Sequence, residues 1–194
     1  MKIGMTLAAV VGLATAATAQ NVTFTLKPSA GTINVGETVS VELWAEMDAP
    51  VFAFGAAKID INNMQNGTNG TISNIALSAP LAGGGVAAAN GNNDLKTFTP
   101  FQVHFPPLFP ANTANPILVA SFDWTANSAG KVVYAVDVLD DLGFTNRVVV
   151  IATSSGNTAN RLGVESEGGW NVIPAPSSLA LLGLGGLVAA RRRR

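Results

Sequence analysis

Apolar and polar side chains alternate along Val39-Ser-Val-Glu-Leu-Trp44, and this alternation is the strongest structural signal in the chain. In an extended backbone it places Val39, Val41 and Leu43 on one face and the polar residues, with Trp44, on the other. A period of two is typical of a β-strand that lies with one face on a hydrophobic core. The stretch Val132-Val-Tyr-Ala-Val-Asp-Val138 repeats the pattern. No segment of the central chain sustains the 3.6-residue apolar period of a helix, so we predict a body built of strands.

Further strand-like segments lie between turn-forming residues. They are Val22–Leu26, Phe52–Ile61, Gly70–Leu77, Thr97–Phe105, Ile117–Thr125 and Arg147–Ala152. Asn-Gly pairs at Asn66, Asn69 and Asn90 supply typical turn chemistry between them. Short strands separated by such turns predict an all-β fold, namely a single antiparallel β-sandwich of eight or nine strands.

Three local patterns resemble the superfamily of cohesin and carbohydrate-binding β-sandwiches. They are Val35-Gly-Glu-Thr-Val-Ser-Val-Glu-Leu43, Phe52-Ala-Phe-Gly-Ala-Ala-Lys-Ile-Asp60, and the pair Ile117–Trp124 with Gly130–Tyr134. The resemblance implies a cohesin-like or jelly-roll-like sandwich. It does not imply that the chain binds a dockerin, because a fold alone carries no function.

The sequence also predicts the domain boundaries. We expect the sandwich to span residues 20–152. The Ser-, Gly- and Asn-rich residues 153–172 predict a linker with at most one short strand, at Leu162–Val164. Within the sandwich, Pro106-Pro-Leu-Phe-Pro110 is stiff and apolar, and it predicts a crossover between sheets or a capped sheet edge.

Residues 1–19 have the features of a secretory signal peptide. Lys2 supplies the positive charge, and Met5–Ala14 form an apolar stretch too short to span a bilayer. Ala17-Thr-Ala19 is an A-x-A cleavage site, so signal peptidase should release a mature chain that begins near Gln20 or Asn21. The alternative is an ordinary buried N-terminal helix.

The C-terminus combines two prolines, an apolar stretch and a block of arginines. A helix over Ser177–Ala190 would be about 21 Å long, whereas the hydrocarbon core of a bilayer is about 30 Å thick. Three glycines weaken this short transmembrane stretch further. The stop-transfer residues Arg191, Arg192, Arg193 and Arg194 would remain cytoplasmic. A short apolar stretch that anchors weakly, followed by arginines that block translocation, predicts temporary retention in the inner membrane. The alternatives are a permanent membrane anchor or a buried helix.

This arrangement over residues 173–194 resembles the PEP-CTERM sorting signal, which is the tag that exosortases recognise. Pro174, Ala175 and Pro176 occupy the place of the Pro-Glu-Pro motif, with Ala175 where the family usually has Glu. The resemblance implies an exosortase-like membrane transpeptidase as a partner. It also implies cleavage near the prolines and delivery to the cell envelope surface or the extracellular space.

The charge balance limits the partners of the body. Without the two ends, six basic and twelve acidic residues remain, a net charge of −6. A sparsely charged, acidic body argues against binding to nucleic acid. The absence of cysteine excludes thiol catalysis and cysteine-based zinc sites.

Few residues suggest catalysis or metal binding. His104 is the only histidine, and we interpret it as structural or surface-exposed, since no G-x-S-x-G elbow accompanies it. Asn90–Asp94 and Asp137–Asp141 cluster oxygen ligands that would suit calcium, but Asn and Asp at such positions more often form turns. We therefore predict no catalytic residues, no cofactor and no resident metal, with a secreted hydrolase as a minor alternative.

The function of the body follows less directly from the sequence. Our main hypothesis is an exported surface or matrix protein with a structural or adhesive sandwich. The alternative is a secreted glycan-binding module, with or without bound calcium, in which exposed aromatic rings stack on a polysaccharide. Trp44 is the preferred candidate because it lies on the polar face of its strand; the other aromatic candidates are Trp124, Trp170, Phe52, Phe54 and Phe101.

Overall fold

The computed structural model describes residues 21–48, 50–65, 69–86, 88–139 and 147–175. The signal peptide, with Ala17 and Ala19, and the tail from Pro176 to Arg194 lie outside these residues. Thirteen strands and one short 3-10 turn, Ala79–Leu81, make up the described elements. The strands are β1 Asn21–Pro28, β2 Thr32–Asn34, β3 Thr38–Met47, β4 Ala53–Ala56, β5 Ile59–Asn63, β6 Gly70–Leu77, β7 Ala88–Ala89, β8 Leu95–Phe98, β9 Ile117–Ala126, β10 Gly130–Val138, β11 Arg147–Ile151, β12 Thr158–Val164 and β13 Glu167–Ile173.

The strands form two sheets that enclose one core, which confirms the predicted β-sandwich. The larger sheet has the order β4-β11-β12-β1-β3-β9-β6, and the smaller has the order β2-β13-β10-β5-β8-β7. Most neighbours are antiparallel, but β1 pairs with β12 and β13 pairs with β2 in parallel. The parallel pairs are formed by the last two strands: β12 lies beside β1 in the larger sheet, and β13 lies beside β2 in the smaller sheet.

The alternation in β3 has the predicted effect. Val39, Val41 and Leu43 are fully buried, whereas Ser40 faces solvent. Along β10, Val132, Tyr134, Val136 and Val138 are likewise buried. These side chains interdigitate with those of the other sheet in a single hydrophobic cluster, as two facing sheets require.

Two predicted strands are wrong in extent. Phe52–Ile61 is two strands, because the chain bends at Ala57 and crosses from the larger sheet to the smaller one. Thr97–Phe105 is a strand only as far as Phe98. Beyond it, Pro100 cannot donate a backbone hydrogen bond, and the chain leaves the sheet to cross over the end of the sandwich.

The predicted linker over residues 153–172 is also wrong. β12 pairs with both β11 and β1, and β13 pairs with β10 and contributes Trp170 and Val172 to the core. The glycines that suggested a loop are instead required by close packing. A Cβ at Gly168 would lie 2.7 Å from the Leu26 Cβ, and one at Gly169 would lie 2.3 Å from the Val132 carbonyl oxygen. The domain therefore continues to Ile173.

The two ends of the sandwich carry different parts of the chain. At one end the Val35 amide donates to the Ile173 carbonyl oxygen at 3.0 Å, and the Gly36 amide donates to that of Ala126 at 2.9 Å, so the C-terminus leaves here. The other end holds the start of β9 and the end of β3, where the Asn115 side chain bonds the backbone of Met47. The crossover from β8 to β9 covers this second end.

Candidate functional sites

The C-terminal site begins directly after the last strand of the core. Ile173 ends β13, and Pro174 and Ala175 follow as the last described residues. Pro176, the apolar stretch 177–190 and the arginines lie outside the described residues. Within the described part of the chain, no helix has the length and hydropathy needed to cross a membrane. The geometry establishes that no spacer separates the folded body from the proline motif.

Trp44 lies half-buried on the outer face of the larger sheet, as its alternation predicts. Its indole Nε1 donates to Glu42 Oε2 at 2.8 Å, and Lys27 Nζ lies 4.9 Å from the ring centroid. A cation over the ring face is a favourable contact, but it occupies surface that a sugar would need. Glycan binding by Trp44 remains a prediction.

Most of the other aromatic candidates are in the core and cannot reach a polysaccharide. Trp124 and Phe54 are fully buried, and Trp170 is nearly so. Phe52 lies partly buried with its ring centroid 5.3 Å from that of His104. Among the described candidates, Phe101 is thus left with an exposed ring.

His104 fastens two loops, in agreement with the structural interpretation. Its Nδ1 accepts a hydrogen bond from the Ala111 amide at 3.0 Å. The proton therefore resides on Nε2, which donates to the Ser154 carbonyl oxygen at 2.9 Å. Both ring nitrogens are engaged, and this arrangement holds the crossover against the loop between β11 and β12.

The oxygen-rich stretch Asn90–Asp94 forms a turn. Asn90 Oδ1 accepts from the Asn92 and Asp94 amides at 2.9 and 3.0 Å, and Asn90 Nδ2 donates to Asp94 Oδ2 at 2.9 Å. Asp94 Oδ1 accepts from the Asn63 amide at 2.8 Å. These oxygens already have partners within the protein. In the described ranges, no three His, Asp or Glu side chains gather as a metal site would need; Asp140 and Asp141 lie outside those ranges.

A shallow recess lies on the outer face of the smaller sheet, above Gly169. Its volume is about 260 Å³, and its charged lining residues are Lys131 and Glu167. One carboxylate beside one ammonium does not supply the pair of carboxyl groups that glycoside hydrolysis uses. The recess therefore gives no support to the hydrolase alternative.

An exposed apolar loop covers the end of the sandwich opposite the C-terminus. We define the apolar loop as residues 101–110; Val103, Phe105, Leu108 and Phe109 in it are 57–70% exposed, and Phe101 at its base is 38% exposed. The Phe105 and Phe109 backbones exchange two hydrogen bonds of 2.9 Å. The crossover predicted at Pro106–Pro110 is confirmed, since β8 and β9 belong to different sheets. The sequence did not predict its exposure, because apolar residues are usually expected inside.

Comparison with known proteins finds matches both to the C-terminal signal and to the β-sandwich body. Residues 172–194 match the PEP-CTERM protein-sorting motif. No curated protein matches the sequence. The chain therefore carries a PEP-CTERM sorting motif that begins within β13 and continues to the last residue.

The body is similar in fold to cohesin modules. A cohesin module from a Clostridium perfringens family 33 glycoside hydrolase aligns with a TM-score of 0.55 and 14% identity, over 81% of this chain and 99% of that one. The seventh ScaB type I cohesin from Pseudobacteroides cellulosolvens gives 0.54 and 12%, over 81% and 94%. The sixth cohesin of Acetivibrio cellulolyticus scaffoldin B, solved in complex with a Cel5 dockerin mutant, gives 0.52 and 12%, over 80% and 100%. At these identities the likeness shows a cohesin-like fold alone.

Proposed function

We propose that the chain is exported, held briefly in the inner membrane by its C-terminal signal, and cleaved near Pro174–Pro176 by an exosortase-like transpeptidase. Its cohesin-like body would then act as a non-catalytic structural or adhesive component of the cell surface or extracellular matrix. The observation that carries the proposal is the PEP-CTERM motif at residues 172–194, attached without a spacer to a complete sandwich.

The missing spacer defines the geometry of the anchored state. Three residues separate Ile173 from Ser177, where the apolar stretch begins. An extended chain spans at most about 3.5 Å per residue, so the end of β13 would lie within about 15 Å of the membrane. The sandwich would stand on the membrane with its apolar loop at the distal end.

The intact mass of the mature protein from its native host tests this proposal. We expect a mass that lacks residues 1–19 and everything beyond the proline motif. A variant with Pro174→Ala and Pro176→Ala should keep its arginines and remain in the membrane fraction. Pro80→Ala, at an exposed proline far from the motif, is the matched control and should be processed normally.

A mature wild-type protein that still carries Arg191–Arg194 would contradict the proposal and identify the tail as a permanent anchor. Normal processing of the Pro174 and Pro176 variant would show instead that the prolines are not the recognised motif.

A further inference from the structure

We propose that the apolar loop is a self-association site, through which two copies of this chain meet tip to tip. This inference deepens the proposed structural or adhesive role of the body and rests on it. Four side chains supply the contact surface: Val103, Phe105, Leu108 and Phe109.

The apolar loop presents these side chains on a fixed framework. The two backbone hydrogen bonds between Phe105 and Phe109 close the tip. The Gln102 side chain accepts from the Asn112 amide at 2.8 Å and also donates to the Phe54 carbonyl oxygen. Because the loop is already ordered, docking loses little conformational entropy.

Charge favours a second copy as the occupant. The 26 residues from Thr97 to Phe122 contain no Asp, Glu, Lys or Arg. Elsewhere the body is acidic, and its outer sheet faces carry carboxylates such as Glu42 and Asp123 on one sheet and Asp137 on the other. Two copies that approach through these faces bring like charges together, whereas two uncharged tips do not.

The same residues argue against a lipid bilayer or a polysaccharide. Elements that bind the membrane surface usually combine apolar side chains with lysine or arginine, and the loop region has neither. Sugar recognition needs free polar groups beside the ring, but Gln102 and His104 already bond within the protein. An apolar, uncharged surface is complementary to a copy of itself.

The size of the surface predicts a weak, reversible pair. The exposed apolar area is roughly 500 Å² per copy, within the range of a functional patch. A pair would bury about 1,000 Å² in total, which is the lower end for a specific interface. Such a contact becomes effective where many copies are displayed on each of two facing surfaces.

Sedimentation velocity on residues 21–175 tests the proposal, since these residues contain every described strand and the entire buried core. We expect the weight-average mass to rise toward twice the monomer mass between about 10 μM and about 1 mM. The double variant Leu108→Ser and Phe109→Ser should stay monomeric. Met64→Ser, at an exposed apolar residue whose amide bonds the Val133 carbonyl oxygen toward the C-terminal end of the sandwich, is the matched control and should associate like wild type.

A second measurement does not depend on the double variant. The chain has no cysteine, so Leu108→Cys gives a single thiol at the tip and Met64→Cys gives one toward the C-terminal end of the sandwich. We expect disulfide-linked pairs to form about tenfold faster at position 108 than at position 64, because association raises the effective concentration of the thiols at the tip.

Three results would overturn the inference: a wild-type body that stays monomeric to about 1 mM, association that survives the double variant, or equal cross-linking at both positions. A monomeric body that sediments with phosphatidylcholine vesicles or insoluble cellulose would assign the loop to that partner instead. These tests use the purified body, so their failure is separate from a failure of C-terminal processing.

Discussion

The ring of Trp170 stacks on the ring of Tyr134, with centroids 5.7 Å apart and planes inclined by 13°. Trp124 meets Trp170 edge-on at 5.2 Å and completes an aromatic cluster in the core. The Tyr134 hydroxyl donates to the Asn93 carbonyl oxygen at 3.2 Å, and burial raises the pKa of this phenol, so it stays neutral. Trp170 lies four residues before Pro174, and Val172 of the same core is already part of the matched sorting motif, so the core extends into the first residues of that motif.

We expect Trp170→Ala to lower the free energy of unfolding by about 3–5 kcal/mol, because it empties a large buried volume. The near-ultraviolet circular dichroism of the coupled rings should weaken with it. Urea denaturation and near-ultraviolet spectra measure the two effects. Trp44→Ala, outside the core, should cost about 1 kcal/mol and leave the cluster signal intact. Equal losses for the two variants would contradict the structure.

A truncation tests whether β13 belongs to the domain. A chain of residues 21–175 should fold, whereas one that stops at Glu165 should not, because it lacks Trp170, Val172 and the strand between β2 and β10. Far-ultraviolet spectra and thermal melting distinguish the outcomes. Cooperative melting of the shorter chain would restore the linker interpretation of residues 153–172.

Gly70 faces the indole of Trp124, and a Cβ there would lie 2.1 Å from two ring atoms. We expect Gly70→Ala to destabilise the fold by about 3 kcal/mol, since the ring is fixed in the core and cannot yield. Gly91→Ala is the control, because nothing lies within 4 Å of the position that its methyl group would take, and it should change stability by less than about 0.5 kcal/mol. Chemical denaturation compares the two, and similar midpoints would refute the predicted clash.

Asp123 makes stability depend on pH at the acid end. The hydrogen bonds from Asn74 (2.8 Å) and Ser40 lower the pKa of its carboxyl group below the ordinary 3.8. A lowered pKa stabilises the fold above about pH 4, and this contribution is lost as the pH falls through the folded-state value. Asp123→Asn should therefore cost about 0.5–1 kcal/mol at pH 7 and much less near pH 2.5. Urea midpoints of the wild type and the Asp123→Asn variant at pH 7 and pH 2.5 measure the difference in stability. A difference between the two proteins that is the same at both pH values would exclude this role for the charge.

Alternation predicted the strands well where each strand has one face on the core. The bounds of Gly70–Leu77 agree with the structure, and β9 and β11 begin at the predicted residues. β13 was missed because Gly168 and Gly169 interrupt the pattern. Gly168 must be small because it packs against Leu26, 142 residues away in the chain, and Gly169 because it packs against Val132, 37 residues away. A local sequence pattern carries no information about such distant neighbours.

The candidate sites were predictable to different degrees. The C-terminal motif is a linear signal, so its residues could be identified from the sequence alone. The exposure of Phe105, Leu108 and Phe109 could not, since apolar composition ordinarily indicates burial. A signal was nevertheless present: the loop lies in a 26-residue stretch without charge, rich in proline, at a crossover.

The edge strands of the two sheets disfavour assembly by edge-to-edge strand pairing. Three of the four edge strands, β2, β4 and β7, have four residues or fewer, and the fourth, β6, is interrupted by a bulge where Asn74 takes a φ of 50°. Short or bulged edges give an incoming strand little backbone to pair with. A tip-to-tip pair is also closed by its own twofold symmetry. At high concentration between facing surfaces, the protein would thus remain a population of discrete pairs that can separate again, rather than polymerise into amyloid-like fibres.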